Sequence, residues 1–97
     1  MNLIEELENW LAQHSNGNWE HGDGIRIESL DNPGWSLRVS LEGTTLERRT
    51  FAPIRRDRSE SDWIDCKVSA GLFEGHGGPH NLEELLKEFL SWSVDAD

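Results

Sequence analysis

Histidines and carboxylates that lie close together in the sequence are the side chains best suited to chemistry. His21 directly follows Glu20, while His76 and His80 flank a glycine-rich turn that Glu74 precedes. Imidazole and carboxylate are common ligands of a catalytic zinc ion, so these five residues define the hypothesis of a small metal-dependent hydrolase. Their spacing matches no compact metal motif. We therefore favour polar loop histidines, and we expect no metal, no other cofactor and no catalytic residue.

A glycine-rich stretch and a single cysteine are weaker candidates. Residues 75–80 superficially resemble a phosphate-binding loop, but no Gly-Lys-Ser/Thr sequence follows them. Glu83 and Glu84 stand in the first turn of the next predicted helix and would repel a phosphate. Cys66 alternates with apolar residues in a predicted strand, so we expect it to face the core and to be inert. One cysteine allows no internal disulfide and fits a reducing compartment.

Five tryptophans in 97 residues are more informative. Trp10, Trp35 and Trp92 fall on apolar stripes and are expected in the core. Trp19 lies in a polar stretch and Trp63 on the polar side of a predicted strand, where each could still cap the edge of the core with a hydrogen-bonded indole. Exposed tryptophans beside carboxylates are also typical of binding hot spots. The predicted partner-binding surface comprises Trp19, Glu20, His21, Trp63, Asp65 and Glu74.

The net charge of the chain indicates which kinds of partner it can bind. There are 19 acidic and 9 basic residues, a formal net charge of -10. Such a chain repels phosphate backbones, so we expect no direct binding to nucleic acid and a better match to a basic protein. Residues 48–58 are an exception, because they contain five arginines and one aspartate. This arginine segment is the competing interface and would suit an acidic partner.

Length and hydrophobicity predict a single domain over residues 1–97 with one modest core. No apolar run approaches the ~20 residues of a membrane span. The first residues lack the basic region of a secretory signal. We therefore expect a cytoplasmic protein that does not bind membranes.

Hydrophobic periodicity predicts a helix near each end of the chain. Apolar residues at three- and four-residue spacing mark residues 2–14 and a second helix that begins at Asn81. Asn81 and Glu84 have the spacing of a capping box.

Between the helices the apolar period is two, which is typical of half-buried strands. Gly34 is predicted to supply the positive φ of a type II turn after Pro33. Residues 52–61 are predicted to be an exposed loop, and residues 75–80 to end the sheet. Strands are predicted over residues 24–30, 35–41, 45–51 and 62–70, with a short extension at 72–73. The expected fold is α+β: a single antiparallel meander sheet of four to five strands, with both helices packed on the face of Ile25, Ile27, Leu37 and Val39.

Several stretches together resemble a known family. They are Trp-Glu-His at 19–21, Gly-Ile-Arg-Ile-Glu at 24–28 running into Leu-Asp-Asn-Pro-Gly-Trp at 30–35, and Leu-Glu-Gly-Thr at 41–44, and the pattern continues at 62–64, 73–75 and 81–83. Across nearly its whole length the chain resembles the immunity protein 53 family, small bacterial proteins linked to polymorphic toxin systems. The Asp-Asn-Pro-Gly-Trp turn is the most specific part of the likeness.

This resemblance implies a cytosolic inhibitor without catalytic activity, which neutralises a cognate toxin domain by direct stoichiometric binding. Many toxin domains of such systems are nucleases with basic clefts. An acidic protein could occupy such a cleft and would associate faster through electrostatic steering. Two other functions stay open: the metal-dependent hydrolase, and a structural or regulatory subunit that would self-associate.

Overall fold

The computed structural model describes residues 2–15, 17 and 24–94, and it has a helix at each end of a five-stranded antiparallel sheet. The predicted α+β class is confirmed. The helices are α1 (Leu3–His14) and α2 (Leu82–Val94), and the strands are β1 (Ile25–Leu30), β2 (Gly34–Ser40), β3 (Ile54–Asp57), β4 (Trp63–Ser69) and β5 (Leu72–Gly77).

The strand order across the sheet is β1-β2-β5-β4-β3. Three hairpins join β1 to β2, β3 to β4 and β4 to β5. The sheet is nevertheless not a simple meander, because residues 41–53 carry the chain from β2 to the far edge. As a result β5 returns to the centre and pairs with β2.

The first helix begins at a side-chain cap. The side-chain oxygen of Asn2 accepts a hydrogen bond from the Glu5 backbone N–H at 2.8 Å, which satisfies one of the free donors of the first turn. Trp10 is buried and packs edge-on against Phe89 of α2, with 5.2 Å between ring centroids. The predictions that Trp10 lies in the core and that residues 2–14 are helical are therefore confirmed, within one residue of the helix start.

The sheet has one face covered by α2 and one face on which no helix of the described residues packs. The fully buried side chains on the covered face are Leu37, Val39, Ile64, Cys66 and Phe73. α2 packs over β2, β4 and β5, whereas α1 contacts mainly α2. α2 thus packs directly on the predicted face, and α1 adds to the same core mainly through its contact with α2. Ile27, on the edge strand β1, stays 40% exposed.

Two glycines let α2 approach the central strand. Gly75 and Gly77 lie on the covered face of β5, where a Cβ on Gly75 would be 3.1 Å from Leu85 Cδ2 and a Cβ on Gly77 would be 3.1 Å from Asn81 Cβ. The prediction that residues 75–80 end the sheet is therefore wrong, since β5 runs through Gly77. Gly75 and Gly77, which look like loop residues in the sequence, therefore stand where a Cβ would lie unusually close to α2 or to the residue that precedes it.

The region after β2 also differs from the prediction. Residues 45–48 form turns and residues 49–51 are irregular, so the predicted strand is not present there, and Leu46 is buried. The strand β3 lies instead inside residues 52–61, which were predicted to be an exposed loop. Its covered-face positions are Ile54 and Arg56, so a charged residue stands where the period-two pattern requires an apolar one.

The β1–β2 hairpin is confirmed, but Gly34 does not act as predicted. Its φ is not positive, and it is the first residue of β2, opposite Leu30. A Cβ at this position would lie 2.3 Å from the backbone oxygen of Gly77 in β5. Gly34 is therefore required by the close approach of a neighbouring strand and not by turn conformation.

Substitutions at Gly34 distinguish these two reasons. We expect Gly34→Ala to lower the free energy of unfolding by about 1–3 kcal/mol because the added Cβ forces the strands apart. Gly34→Asn should cost at least as much, since the larger side chain meets the same obstacle. At the control position Gly43, where φ is +77° and the space is open, Asn should cost less than Ala because asparagine tolerates positive φ. Urea unfolding measures all four variants, and Asn better tolerated than Ala at Gly34 would contradict the explanation.

Candidate functional site: the open face of the sheet

The sheet face opposite α2, here called the open face, carries a mixture of charged, polar and aromatic side chains. The strand registers place four basic and four acidic residues on it, so its own charge is balanced although the chain as a whole is acidic. These charged residues are Arg26, Arg38, Arg55, Lys67, Glu28, Asp57, Asp65 and Glu74.

Three residues of the predicted partner-binding surface meet on this face. Trp63 and Asp65 are two residues apart on β4, so their side chains point to the same side. Glu74 of β5 lies opposite Lys67, diagonal to Asp65. Trp63 is half-buried. The other three predicted residues, Trp19, Glu20 and His21, fall outside the residues that the structure describes.

The charged side chains at the centre of the open face do not neutralise one another. Arg38, Glu74 and Lys67 lie side by side on β2, β5 and β4. Within the described part of the chain, none of the three forms an ion pair with an N–O distance of 4.0 Å or less. Asp65 lies opposite Arg55, yet Arg55 pairs with Asp57 at 3.1 Å. These groups keep their hydrogen-bonding capacity for a partner.

A row of Ser36, His76 and Asp65 crosses β2, β5 and β4 on the open face. These are the residue types of a hydrolytic triad, which requires the serine hydroxyl to hydrogen-bond the histidine. Ser36 is only 4% exposed, and its Oγ has no hydrogen-bond partner among the described residues. The row therefore lacks the contact that would activate a nucleophile.

Cys66 lies on the covered face and is fully buried, as predicted. Burial raises the pKa of its thiol to about 12, and the negative charges of Glu88 and Asp65 act in the same direction. The thiol is therefore protonated at neutral pH, and this residue packs as an apolar core side chain.

The structure separates the described members of the hydrolase hypothesis. Glu74 and His76 point from β5 onto the open face. His80 lies in the turn before α2 and lines a groove with Asn2 and Glu6 of the α1 end. Within residues 2–15, 17 and 24–94, no group of three or more His, Cys, Asp or Glu side chains is placed to hold a metal ion. Glu20 and His21, the remaining members, lie outside this range.

Comparison with known proteins identifies the family. The sequence model of Immunity protein 53 matches residues 4–94, which include every strand and nearly all of both helices. The chain belongs to the immunity protein 53 family. No curated protein and no solved structure matches the chain. Membership in this family assigns the chain to the immunity proteins, and it indicates a cognate toxin as the partner and a role other than catalysis.

Neither helix in the described part of this immunity protein has the length and apolar character needed to cross a membrane.

In this immunity protein the arginine segment anchors α2 to the sheet. Arg56 reaches Glu84 and Glu88 of α2 at 2.9 and 2.8 Å. Arg58 pairs with Asp62 and with Glu84, and Arg49 Nη1 donates to the Trp92 carbonyl at 3.1 Å. Three of the five arginines are thus engaged with α2, so the competing interface proposed from the sequence has an internal role.

A buried asparagine joins the start of α2 to β4. Asn81 Oδ1 accepts from the Trp63 backbone N–H at 3.3 Å, and its Nδ2 donates to Asp62 and Glu84 at 3.0 Å each. Asn81 and Glu84 therefore bond side chain to side chain, which differs from the predicted capping box. Hydrogen bonds from Arg58 lower the pKa values of both Asp62 and Glu84 below their usual range.

The buried hydroxyl of Ser36 yields a stability prediction. We expect Ser36→Ala to leave the free energy of unfolding unchanged or to raise it by up to about 1 kcal/mol, because no hydrogen bond is lost and a buried polar group is removed. The matched control is Thr44→Val, since Thr44 Oγ1 donates to the Leu41 carbonyl and accepts from the Leu46 N–H. The control should lose about 1 kcal/mol. A larger loss in Ser36→Ala than in Thr44→Val would show that the serine hydroxyl is bonded.

The arginine network yields a pH prediction. Because the folded-state pKa of Glu84 is lowered, its contribution to stability is complete above its ordinary value of 4.5 and is lost as the pH falls through the folded-state value. Glu84→Gln should therefore be about 1 kcal/mol less stable than the unchanged protein at pH 7, and the difference should shrink below pH 4.5. Urea unfolding between pH 3 and 7, taken as roughly the range over which a carboxylate titrates, measures this. Glu83→Gln, an exposed neighbour, is the control, and an equal effect in both variants would contradict the prediction.

Proposed function

We propose that this protein neutralises a cognate toxin of a bacterial polymorphic toxin system by direct stoichiometric binding in the cytoplasm, and that the toxin contacts the open face of the sheet. The observation that carries this proposal is that Arg38, Glu74 and Asp65 lie on that face without an ion-pair partner among the described residues. No enzymatic step is part of it. Inhibition follows if the bound protein covers the active cleft of the toxin.

The open face is a better interface than the arginine segment because its central charged side chains, Arg38, Glu74 and Lys67, form no ion pair among the described residues. Forming a complex with Arg56 or Arg58 would require breaking ion pairs that attach α2. Binding through Arg38 or Glu74 breaks no ion pair among the described residues. The cost of binding is therefore lower on the open face.

Trp63 is the proposed anchor of the contact. It is half-buried on the open face and stands beside Asp65, so its indole can be desolvated by a partner while the carboxylate pairs with a basic group. Trp19, Glu20 and His21 remain part of the proposed interface on the sequence argument alone. A carboxylate and an arginine at the same site require a partner surface that carries both signs of charge.

The overall charge and the contact surface have separate effects on binding. A net charge of -10 attracts a basic toxin, such as a nuclease with a basic cleft, and raises the association rate at low salt. The balanced open face cannot add much to this attraction. Its contribution is specificity and a slow dissociation, which short-range pairing and tryptophan burial provide.

The test uses the toxin domain encoded beside this protein, inactivated in its own catalytic residues, and measures association and dissociation rates. We expect Trp63→Ala to weaken affinity at least about thirtyfold, mainly through faster dissociation. Glu74→Gln should weaken it by about tenfold through the loss of one charge-assisted contact. Glu83→Gln, exposed on α2, is the control and should bind like the unchanged protein.

A second control examines the competing interface without disturbing the fold. Arg48 belongs to the arginine segment, is exposed and has no ion-pair partner among the residues described. Loss of affinity in Arg48→Ser, together with unchanged affinity in Trp63→Ala, would show that the toxin contacts the arginine segment and not the open face. Circular dichroism and thermal unfolding confirm that each variant is folded.

A further inference from the structure

The two edges of the sheet differ in how they are protected. β3 has only four residues, follows Pro53, and its exposed Arg55 and Asp57 pair with each other. β1 has six residues and no proline, and its Ile27 is 40% exposed. Neither helix packs over β1 as α2 packs over the central strands. Short length and proline are among the usual protections of an edge, and β1 has neither, so β1 is the edge where another strand can add.

The hydrogen bonds to β2 determine which groups of β1 face outward. The Ser40 N–H donates to the Gly24 carbonyl at 2.9 Å, and these residues are directly opposite in the register. In an antiparallel pair such hydrogen-bonded positions alternate with non-bonded ones. The N–H and C=O groups of Ile25, Ile27 and Ser29 therefore point away from β2, and they have no backbone partner within the described residues.

We propose that a second copy of this chain pairs with β1 in an antiparallel arrangement, with Ile27 opposite Ile27 of the second copy. In this register Arg26 lies opposite Glu28 of the second copy, and the two-fold symmetry repeats the pair. Both pairs fall on the open face, whereas the two Ile27 side chains meet on the other face and bury their exposed surface. The sequence Arg-Ile-Glu at 26–28 is thus complementary to itself.

Charge selects this register over its neighbours. Outward backbone groups face each other only when one copy slides by two residues at a time. One such step places Arg26 opposite Arg26, and the step in the other direction places Glu28 opposite Glu28. Like charges directly opposite each other are unfavourable. The proposed register also places a carboxylate beside Arg26, which already lies opposite Arg38 within the chain.

The dimer leaves Trp63 and Asp65 of the proposed toxin-binding surface accessible. Pairing at β1 joins the two sheets into one of ten strands, while Trp63 and Asp65 lie on β4, three positions away across the sheet. The dimer would therefore bind two toxin molecules. This inference does not depend on the proposed function, since the edge would pair whether or not the open face binds a toxin.

The test is sedimentation equilibrium of the full chain over a range of concentrations, with a charge-reversal cycle at the two positions. The unchanged protein should dimerise reversibly. Arg26→Glu and Glu28→Arg should each weaken the dimer by about tenfold, because each creates two like-charge pairs. The double variant Arg26→Glu with Glu28→Arg should restore dimerisation to within about threefold, which a nonspecific effect of charge would not do. Glu5→Arg, on the exposed surface of α1, is the control and should not change the dimer.

Amide hydrogen exchange supplies an independent readout of the same contact. The N–H groups of Ile25, Ile27 and Ser29 should become protected as concentration rises, and those of Arg55 and Asp57 on the other edge should not. A monomer at all concentrations would overturn the proposal, as would a dimer that the double variant fails to restore. Protection of Ile27 that appears only when the toxin domain is added would also overturn it, because the edge would then receive a strand of the toxin.

Discussion

The close approach of α2 to the central strand β5 is the contact on which the rest of the structure depends. It exists because Gly75 and Gly77 present no side chain to the helix, so Leu85 and Asn81 occupy the space that a Cβ would need. Once α2 lies there, Phe89 reaches Phe73 in the sheet and Trp10 in α1. The position of α1 follows from that of α2, since α1 contacts the sheet little by itself. A Cβ at either glycine would be 3.1 Å from Leu85 or Asn81, so these neighbours would have to shift by a few tenths of an ångström.

Ion pairs and hydrogen bonds also attach α2 to β3, β4 and the turn between them. Arg56 and Arg58 extend from β3 and the following turn to carboxylates of α2, and Asn81 connects the helix start to β4. These contacts neutralise Arg56 and Arg58, two of the five arginines in the arginine segment. At the centre of the open face, Arg38, Glu74 and Lys67 lie side by side without an ion pair among the described residues. The charges that hold the fold therefore lie beside α2, whereas the unpaired charges at the centre of the open face lie on the opposite side of the sheet.

Sequence patterns predict this fold where local pattern and burial agree, and fail where they do not. The two helices, the β1–β2 hairpin and β4 all carry apolar residues at the period of their own element. The sequence prediction misses β3 because Arg56 occupies a covered position. Its charge is neutralised there by Glu84 and Glu88, which follow 28 and 32 positions later in the sequence. The sequence prediction ends β5 too early because glycine usually interrupts a strand. Only the position of α2 shows why glycine is needed at these positions of β5.

The candidate site was predictable to a similar extent and for similar reasons. Alternation alone places Trp63 and Asp65 on the polar side of their strand. That Glu74 and Arg38 share this surface depends on β5 lying between β2 and β4, a long-range pairing that no local pattern encodes.

The acidic excess of the chain does not lie on the open face. Part of it lies on α1, where Glu5, Glu6 and Glu8 have no lysine or arginine in their helix. Beyond a Debye length of about 8 Å a partner responds to the net charge, and within it to the nearest groups. The proposed function therefore assigns attraction and recognition to different sides of this molecule. Under this proposal, a basic toxin that is drawn in by the total charge would still have to match both signs on the open face in order to stay.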